Sequence, residues 1–240
     1  MADAPLALVT GANSGIGLEI ARQLIGSGMD VLVGCRDRAK GEAACAELGD
    51  HARPVVIDVT EPATIDAVAG EVDHLDVLVN NAGVNPGFED IRTAPLEQLR
   101  LAYETNVFGL VAVTQAFVPA LRASDHPRIV NISSGTGSLT WNGSDNPQFD
   151  WTQSHGSGLA YRSSKTAVNA VTLLSAQALA SDGILVNALA PGLRRTNLLP
   201  GMTVGGDPAE AAAGAVRLAL LPDDGPTGAL WSWDGSQVPW

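Results

Sequence analysis

The sequence predicts an α/β fold, a doubly wound three-layer α/β/α sandwich around a central seven-stranded parallel sheet. Three observations support this prediction. Short β-branched or Leu-rich runs alternate with amphipathic stretches, the runs are apolar on both faces, as in strands covered by helices on both sides, and a glycine-rich turn joins the first run to the first amphipathic stretch. With 240 residues, 45% of them hydrophobic, the chain suits one domain, 1–240, around a continuous core.

The apolar runs predict seven strands, at 6–10, 30–35, 54–58, 76–80, 128–133, 184–190 and 229–233. Asp37 and Thr60 are expected N-caps, and Pro62 suits a first helical turn. The longest helical stretch is predicted over 93–124. Two segments have the composition of functional loops: 140–158, rich in Asn, Asp, Gly, Ser and Trp, and 193–208, whose Gly and Pro residues suit a movable flap.

Charge and composition limit the classes of partner. The formal net charge of −12 predicts no nucleic-acid partner and no anionic membrane surface, and no segment is expected to reach the length of a membrane span. The two cysteines are expected to be free thiols, and the N-terminus lacks the basic n-region of a signal peptide. We therefore expect a cytoplasmic protein. The four histidines are scattered, so no metal site is expected.

The sequence TGANSGIG (10–17) follows the first predicted strand and opens the first helix. A glycine-rich turn there lets the backbone approach a pyrophosphate, and the helix N-terminus adds N–H groups. The spacing of Gly11, Gly15 and Gly17 departs from the general G-x-G-x-x-G fingerprint. By itself, the motif therefore fits either nucleotide binding or a tight turn with close helix packing.

Further motifs follow in a fixed order: NNAG (80–83), N-V-x-G (106–109), a Ser pair (133–134), Tyr161 with Lys165, and PG (191–192). With the glycine loop, this series resembles the classical short-chain dehydrogenase/reductase family over essentially the whole chain. The resemblance implies a Rossmann-type fold and a nicotinamide dinucleotide. The positions it assigns to that cofactor are Gly11, Asn13, Ser14, Gly15, Ile16, Gly17, Arg36, Asp58, Val59, Asn81, Ala82, Gly83, Tyr161, Lys165, Pro191, Gly192, Leu193 and Thr196.

The residues after the second strand favour NADPH or NADP⁺ over NADH. NAD enzymes place an acidic residue there, whereas arginine accommodates the 2′-phosphate. The family's acidic position falls on Cys35, and Arg36, Arg38 and Lys40 follow. The alternative is a solvated helix start capped by Asp37. Ser14 replaces the basic residue that some NADPH enzymes place there, and Arg194 and Arg195 receive no role.

The family resemblance assigns four catalytic residues, Asn106, Ser134, Tyr161 and Lys165, for reversible hydride transfer between ketones or aldehydes and alcohols. Tyr161 is the expected general acid/base, and Lys165, one helical turn on, would lower its pKa from about 10. Ser134, rather than Ser133, would orient the carbonyl oxygen, and Asn106 would hold a relay water. Two alternatives stay open: an ordinary helix face for Tyr161 and Lys165, and a non-catalytic dinucleotide sensor on the same fold.

The segment before Tyr161 is unusually long, since twenty-seven positions separate Ser134 from Tyr161. This length resembles the carbonyl-reductase-like branch, which implies diverse small carbonyl substrates and a monomer, with the classical dimer and tetramer still open. Substrate contacts are expected from Phe88, Trp141, Trp151 and Leu198, with Phe149 and Leu199 as further candidates. The aromatic residues of the segment would equally serve to attach it to the body. A hydrolase built from Asp150, Ser154 and His155 is disfavoured because no G-x-S-x-G turn exists.

Overall fold

The computed structural model describes residues 4–144, 146, 154–198 and 204–240. Its described residues form an eight-stranded sheet in the order β3-β2-β1-β4-β5-β6-β7-β8. The strands are β1 Leu6–Thr10, β2 Asp30–Cys35, β3 Ala52–Val56, β4 Val77–Asn80, β5 Arg128–Ile132, β6 Leu185–Ala190, β7 Leu230–Ser232 and β8 Gln237–Val238. The first seven are parallel, as predicted, and β8 adds an antiparallel edge to β7.

The central strands are buried on both faces, which explains their continuous apolar sequences. In β1, Val9 pairs with Val33 of β2 on one side and with Val79 of β4 on the other. Strand order reverses at this point, since β2 and β3 lie to one side of β1 and the later strands to the other. The carboxyl ends of β1 and β4 therefore meet at the topological switch point, where open α/β sheets bind ligands.

Eight α-helices occur in the described residues: α1 Gly15–Gly26, α2 Arg38–Leu48, α3 Pro62–Ala69, α4 Leu96–Tyr103, α5 Leu110–Arg122, α6 Leu139–Gly143, α7 Leu159–Ala178 and α8 Pro208–Ala219. One core cluster packs α1, α2 and α8 against the sheet through residues such as Ile20, Ala44 and Leu218. A second cluster, with Ile65 and Phe117, packs α3 and α5 on the opposite face. The three layers predicted from the sequence are therefore present.

The helix starts agree in part with the prediction. The Asp37 carboxylate accepts from Lys40 N at 3.2 Å and caps α2, and Pro62 occupies the first turn of α3. Thr60 was expected to be the N-cap of α3, but it is not. Its hydroxyl donates to Asp58 at 2.7 Å, and the N-cap of α3 is Glu61. β3 likewise ends two residues earlier than predicted, before the turn around Asp58.

The stretch predicted as one helix over 93–124 contains two α-helices separated by a π-helical segment, Glu104–Gly109. Taken together, Leu96–Arg122 is 27 residues long with a mean hydropathy of 1.2 in its most apolar window. The expectation that no segment has the length of a membrane span is therefore wrong on length and composition. Half of that window is buried inside the fold.

Candidate active site

A cleft of about 540 Å³ lies at the carboxyl edge of the sheet. Sixteen of the residues that the sequence assigned to cofactor, catalysis or substrate line it: Gly11, Asn13, Ser14, Gly15, Ile16, Arg36, Asp58, Val59, Asn81, Ala82, Gly83, Tyr161, Lys165, Pro191, Thr196 and Leu198. Ten further lining residues were not assigned: Cys35, Lys40, Ile57, Thr60, Val84, Asn85, Thr105, Ile132, Ser133 and Asn197. One edge of the sheet thus brings together motifs spread over most of the chain.

The glycine loop interlocks with the turn after β4. The Asn81 side-chain amide donates to Thr10 O at 2.8 Å and to Gly11 O at 3.2 Å, and a Cβ at Gly17 would collide with that amide. Gly11 has a φ of +65°, and its Cβ would lie 3.0 Å from Ala82 Cα. Gly11 and Gly17 are therefore required for the close packing of this loop against the turn after β4.

The N-terminus of α1 faces this cleft through Ser14 and Gly15. Ser14 is the N-cap residue, yet its side chain makes no capping hydrogen bond. The first backbone N–H groups of a 12-residue helix are thus left without a side-chain acceptor. Such a terminus favours an anionic ligand.

Two cations line the cleft beyond the end of β2. Arg36 and Lys40 are both exposed and both contribute to the lining, whereas Arg38 lies outside it and pairs with Glu42 at 3.9 Å. Cys35 occupies the position at which NAD enzymes of the family place an acidic residue. Its thiol is buried, and burial raises the pKa of the thiol. The Asp58 carboxylate accepts from Thr60 N at 3.0 Å and from the Thr60 hydroxyl.

Tyr161 and Lys165 lie on α7 and both line the cleft. Lys165 is only 5% exposed, its Nζ donates to Ile132 O at 2.7 Å, and it lies 5.7 Å from the centroid of the Tyr161 ring. Burial lowers the pKa of Lys165 to about 8. Burial also raises the pKa of Tyr161 to about 12, while a hydrogen bond with Ser134 acts in the opposite direction. The pKa of Tyr161 is thus raised, whereas the neighbouring Lys165 was expected to lower it.

The two serines after β5 differ in their contacts. The Ser134 hydroxyl lies 2.8 Å from the Thr136 hydroxyl, accepts from Thr136 N at 3.1 Å, and lies near enough to the Tyr161 phenol to act on its pKa. The Ser133 hydroxyl donates to Asn169 Oδ1 at 2.5 Å and contacts Lys165 O at 3.3 Å. Ser134 is therefore at the phenol, although only Ser133 lines the cleft wall.

Asn106 is buried in the π-helical segment and does not line the cleft. Its side chain exchanges two hydrogen bonds with the backbone of Val84, at 2.8 and 3.0 Å, and donates to Ser164 Oγ at 3.0 Å. A Cβ at Gly83 would lie 3.2 Å from Asn106 Oδ1 and 3.6 Å from Lys165 Nζ. Asn106 thus ties the turn after β4 to α7, and its role with a relay water stays a prediction.

The segment after β6 reaches the cleft through Pro191, Thr196 and Leu198. Gly192 has a φ of +68°, and its Cβ would lie 3.2 Å from the Trp233 ring, so glycine is required there. Leu193 is 41% exposed and, like Gly192, lies outside the lining.

The residues predicted to contact substrate lie in different parts of the structure. Leu198 lines the cleft, but Phe88 is 57% exposed and Trp141 packs with Trp240 against a small apolar cluster, so neither lines it. This packing is the attachment role that the sequence left open for Trp141. Other candidates and loop residues lie outside the described residues: Phe149, Asp150, Trp151 and Leu199. Within the described ranges, no group of three or more His, Cys, Asp and Glu side chains could hold a metal ion.

The chain was compared with known proteins. Residues 5–146 match the family model described as short chain dehydrogenase. The chain is 38% identical over 211 residues to the short-chain dehydrogenase AnuI of Penicillium roqueforti, which covers 83% of this chain and 82% of that protein.

Two solved structures resemble this one over nearly their whole length. The NADPH-bound carbonyl reductase from chicken fatty liver is 30% identical, with a TM-score of 0.85 and 100% of both chains covered. The 3-ketoacyl-(acyl-carrier-protein) reductase from Brucella melitensis, complexed with NADH, is 25% identical, with a TM-score of 0.82 and 96% of both chains covered. The two differ in the nicotinamide cofactor they contain.

Proposed function

Because the chain belongs to the short-chain dehydrogenase/reductase family of oxidoreductases, we propose that it is an NADPH-dependent carbonyl reductase, which reduces ketones or aldehydes to alcohols. The observation that carries the proposal is the pair that Tyr161 and Lys165 form in the cleft, with Ser134 beside the phenol. An ordinary helix face would not bury an ammonium group beside a phenol that also lies next to a serine from the turn after β5.

The residues of the cleft fit a nicotinamide dinucleotide on two structural grounds. Gly11 and Gly15, which carry no side chain, line the cleft, and the N-terminus of α1 lacks a side-chain cap at Ser14. These features suit a pyrophosphate group. When bound, NADPH supplies the hydride.

The preference for NADPH over NADH rests on Arg36 and Lys40. Both line the cleft just beyond β2, and a guanidinium and an ammonium group suit a 2′-phosphate. The residue at the end of β2, Cys35, is a buried thiol that cannot replace the carboxylate with which NAD enzymes hold the ribose.

Tyr161 is proposed to donate the proton that the developing alkoxide requires. With a pKa near 12, the phenol keeps its proton at neutral pH, and with a pKa near 8, Lys165 is then mainly cationic. The cation stabilises the phenolate that remains after proton transfer. Ser134 donates to the substrate oxygen and holds it beside the phenol.

The test is a panel of initial rates for ketones and aldehydes, measured with NADPH and with NADH for the wild type and for Tyr161→Phe. We expect NADPH-dependent reduction by the wild type and loss of nearly all turnover in the variant. NADPH binding, followed by fluorescence, should change little. Turnover retained by Tyr161→Phe would exclude the mechanism, and binding without reduction across the panel would favour the dinucleotide sensor.

We also propose a cytoplasmic monomer with a small-molecule substrate and neither nucleic-acid nor membrane partners. The monomer rests on the length of the segment before Tyr161. Light scattering of the purified protein tests it, and a stable dimer or tetramer would contradict it.

A further inference from the structure

Thr136 lies beside the candidate catalytic group, and neither the sequence motifs nor the proposed mechanism uses it. Its hydroxyl is 2.8 Å from the Ser134 hydroxyl. We propose that Thr136 is a positioning residue whose hydroxyl donates to Ser134, so that the single Ser134 proton is directed to the substrate carbonyl oxygen. This inference rests on the proposed carbonyl reduction.

The hydrogen-bond capacity of Ser134 limits the arrangements. A serine hydroxyl has one proton and two acceptor lone pairs. Ser134 Oγ has two partners within hydrogen-bond distance: Thr136 N at 3.1 Å and Thr136 Oγ1 at 2.8 Å. A backbone N–H can only donate, so it takes one lone pair. The contact with Thr136 Oγ1 then uses either the second lone pair of Ser134 or its only proton.

Only one of the two resulting arrangements supports the proposed reaction. If Ser134 donated to Thr136, its only proton would be turned away from the substrate oxygen. If Thr136 donates to Ser134, the Ser134 proton is free to hold that oxygen beside the Tyr161 phenol.

Thr136 is held in place by the turn around it. Ser134 caps the 3₁₀ turn Gly135–Gly137, and Thr136 O accepts from the Asn142 side-chain amide at 2.8 Å. At the end of the turn, a Cβ on Gly137 would lie only 2.6 Å from the Lys165 carbonyl carbon, so the turn packs directly on α7. The Thr136 hydroxyl therefore has a fixed position relative to both Ser134 and Lys165.

The test compares Thr136→Val, which removes the hydroxyl at nearly constant shape, with Thr136→Ser, which keeps it. Thr140→Val is the matched control, because the exposed Thr140 hydroxyl bonds to Trp240 O. We expect Thr136→Val to lower kcat about three- to tenfold, as loss of one hydrogen bond does, with the NADPH Kd unchanged. Thr136→Ser should retain most of the wild-type kcat, and the control should match the wild type.

The outcomes separate this inference from the proposed function. A Thr136→Val variant with wild-type kcat would overturn the inference and leave carbonyl reduction standing. A loss of kcat that Thr136→Ser shares, together with a lower Tm, would show a structural role and also overturn it. If the wild type reduces no carbonyl, the proposed function fails and this inference fails with it. Thr136→Ala replaces the valine variant if that variant does not fold.

Discussion

The guanidinium of Arg194 lies 4.2 Å from the centroid of the Trp233 ring. Arg194 is 8% exposed, its Nε donates to Pro191 O at 2.7 Å, and its Nη1 pairs with Glu210 at 2.6 Å. One side chain thus joins the turn after β6 to α8 and to the segment after β7. This contact fixes the base of the segment that brings Thr196 and Leu198 to the cleft.

Replacing Arg194 with Met should lower the free energy of unfolding by about 2 kcal/mol, since hydrogen bonds of a charged group are lost inside the protein while Glu210 stays in partial contact with water. Urea denaturation measures this loss. Arg195→Met is the matched control, because the exposed Arg195 side chain bonds only to Gly205 O among the described residues. Equal stability of the two variants would show that the Arg194 contacts contribute little.

Cofactor preference should depend on Arg36 and not on Arg38. In Arg36→Asp, the ratio of kcat/KM with NADPH to kcat/KM with NADH should fall about 10- to 100-fold, because a charge-assisted bond to phosphate is replaced by repulsion. Arg38→Asp should change this ratio far less, since Arg38 lies outside the cleft lining. Unchanged NADPH affinity in Arg36→Asp would contradict the assignment of Arg36 to the 2′-phosphate.

Stability of the cofactor-free protein should rise from pH 8 to pH 10 through Lys165. Burial lowers its pKa from 10.5 to about 8, so over this window the unfolded chain binds the lysine proton more tightly than the folded chain. The free energy of unfolding then rises with pH, by roughly 2 kcal/mol. Tyr161, with its raised pKa, acts in the opposite sense only above its ordinary value of 10.

The measurement is the difference in unfolding free energy between the wild type and Lys165→Met across the same pH range. All other titrating groups are common to both proteins, so the difference isolates Lys165. Parallel curves for the two proteins would contradict the assigned pKa.

Gly137→Ala should destabilise the protein by about 1 to 3 kcal/mol, as overpacking of a close contact does. The added Cβ would meet the backbone of Lys165 at 2.6 Å, and moving α7 away would also displace Tyr161 from Ser134, so kcat should fall. Thermal unfolding and initial rates measure both effects. Gly26→Ala is the control, because a Cβ there meets nothing within 4 Å, and it should leave the Tm unchanged or slightly higher. An equal loss of stability in Gly26→Ala would contradict the role given to the close contact at Gly137.

Local sequence alone was enough to predict the three-layer fold, the seven parallel strands and most of the cleft. Apolar runs define strands through their own composition, and Gly11, Asn81 and Pro191 follow strands directly, so parallel pairing brings them to one edge of the sheet. The order of these motifs also identified the family. Each strand and each motif was recognised from residues that are near one another in the chain.

Contacts between distant segments, by contrast, were decided by the tertiary structure. Arg194 received no role because its partners Glu210 and Trp233 come later in the chain. Trp141 packs against an apolar cluster from β6, β7 and β8, where the sequence also allowed a pocket wall. The direction of the Tyr161 pKa shift depends on burial, which no spacing of Tyr and Lys reveals. Local pattern thus determines where strands and motifs lie, whereas burial and long-range contacts set their electrostatics, because these depend on which surfaces the folded chain removes from water.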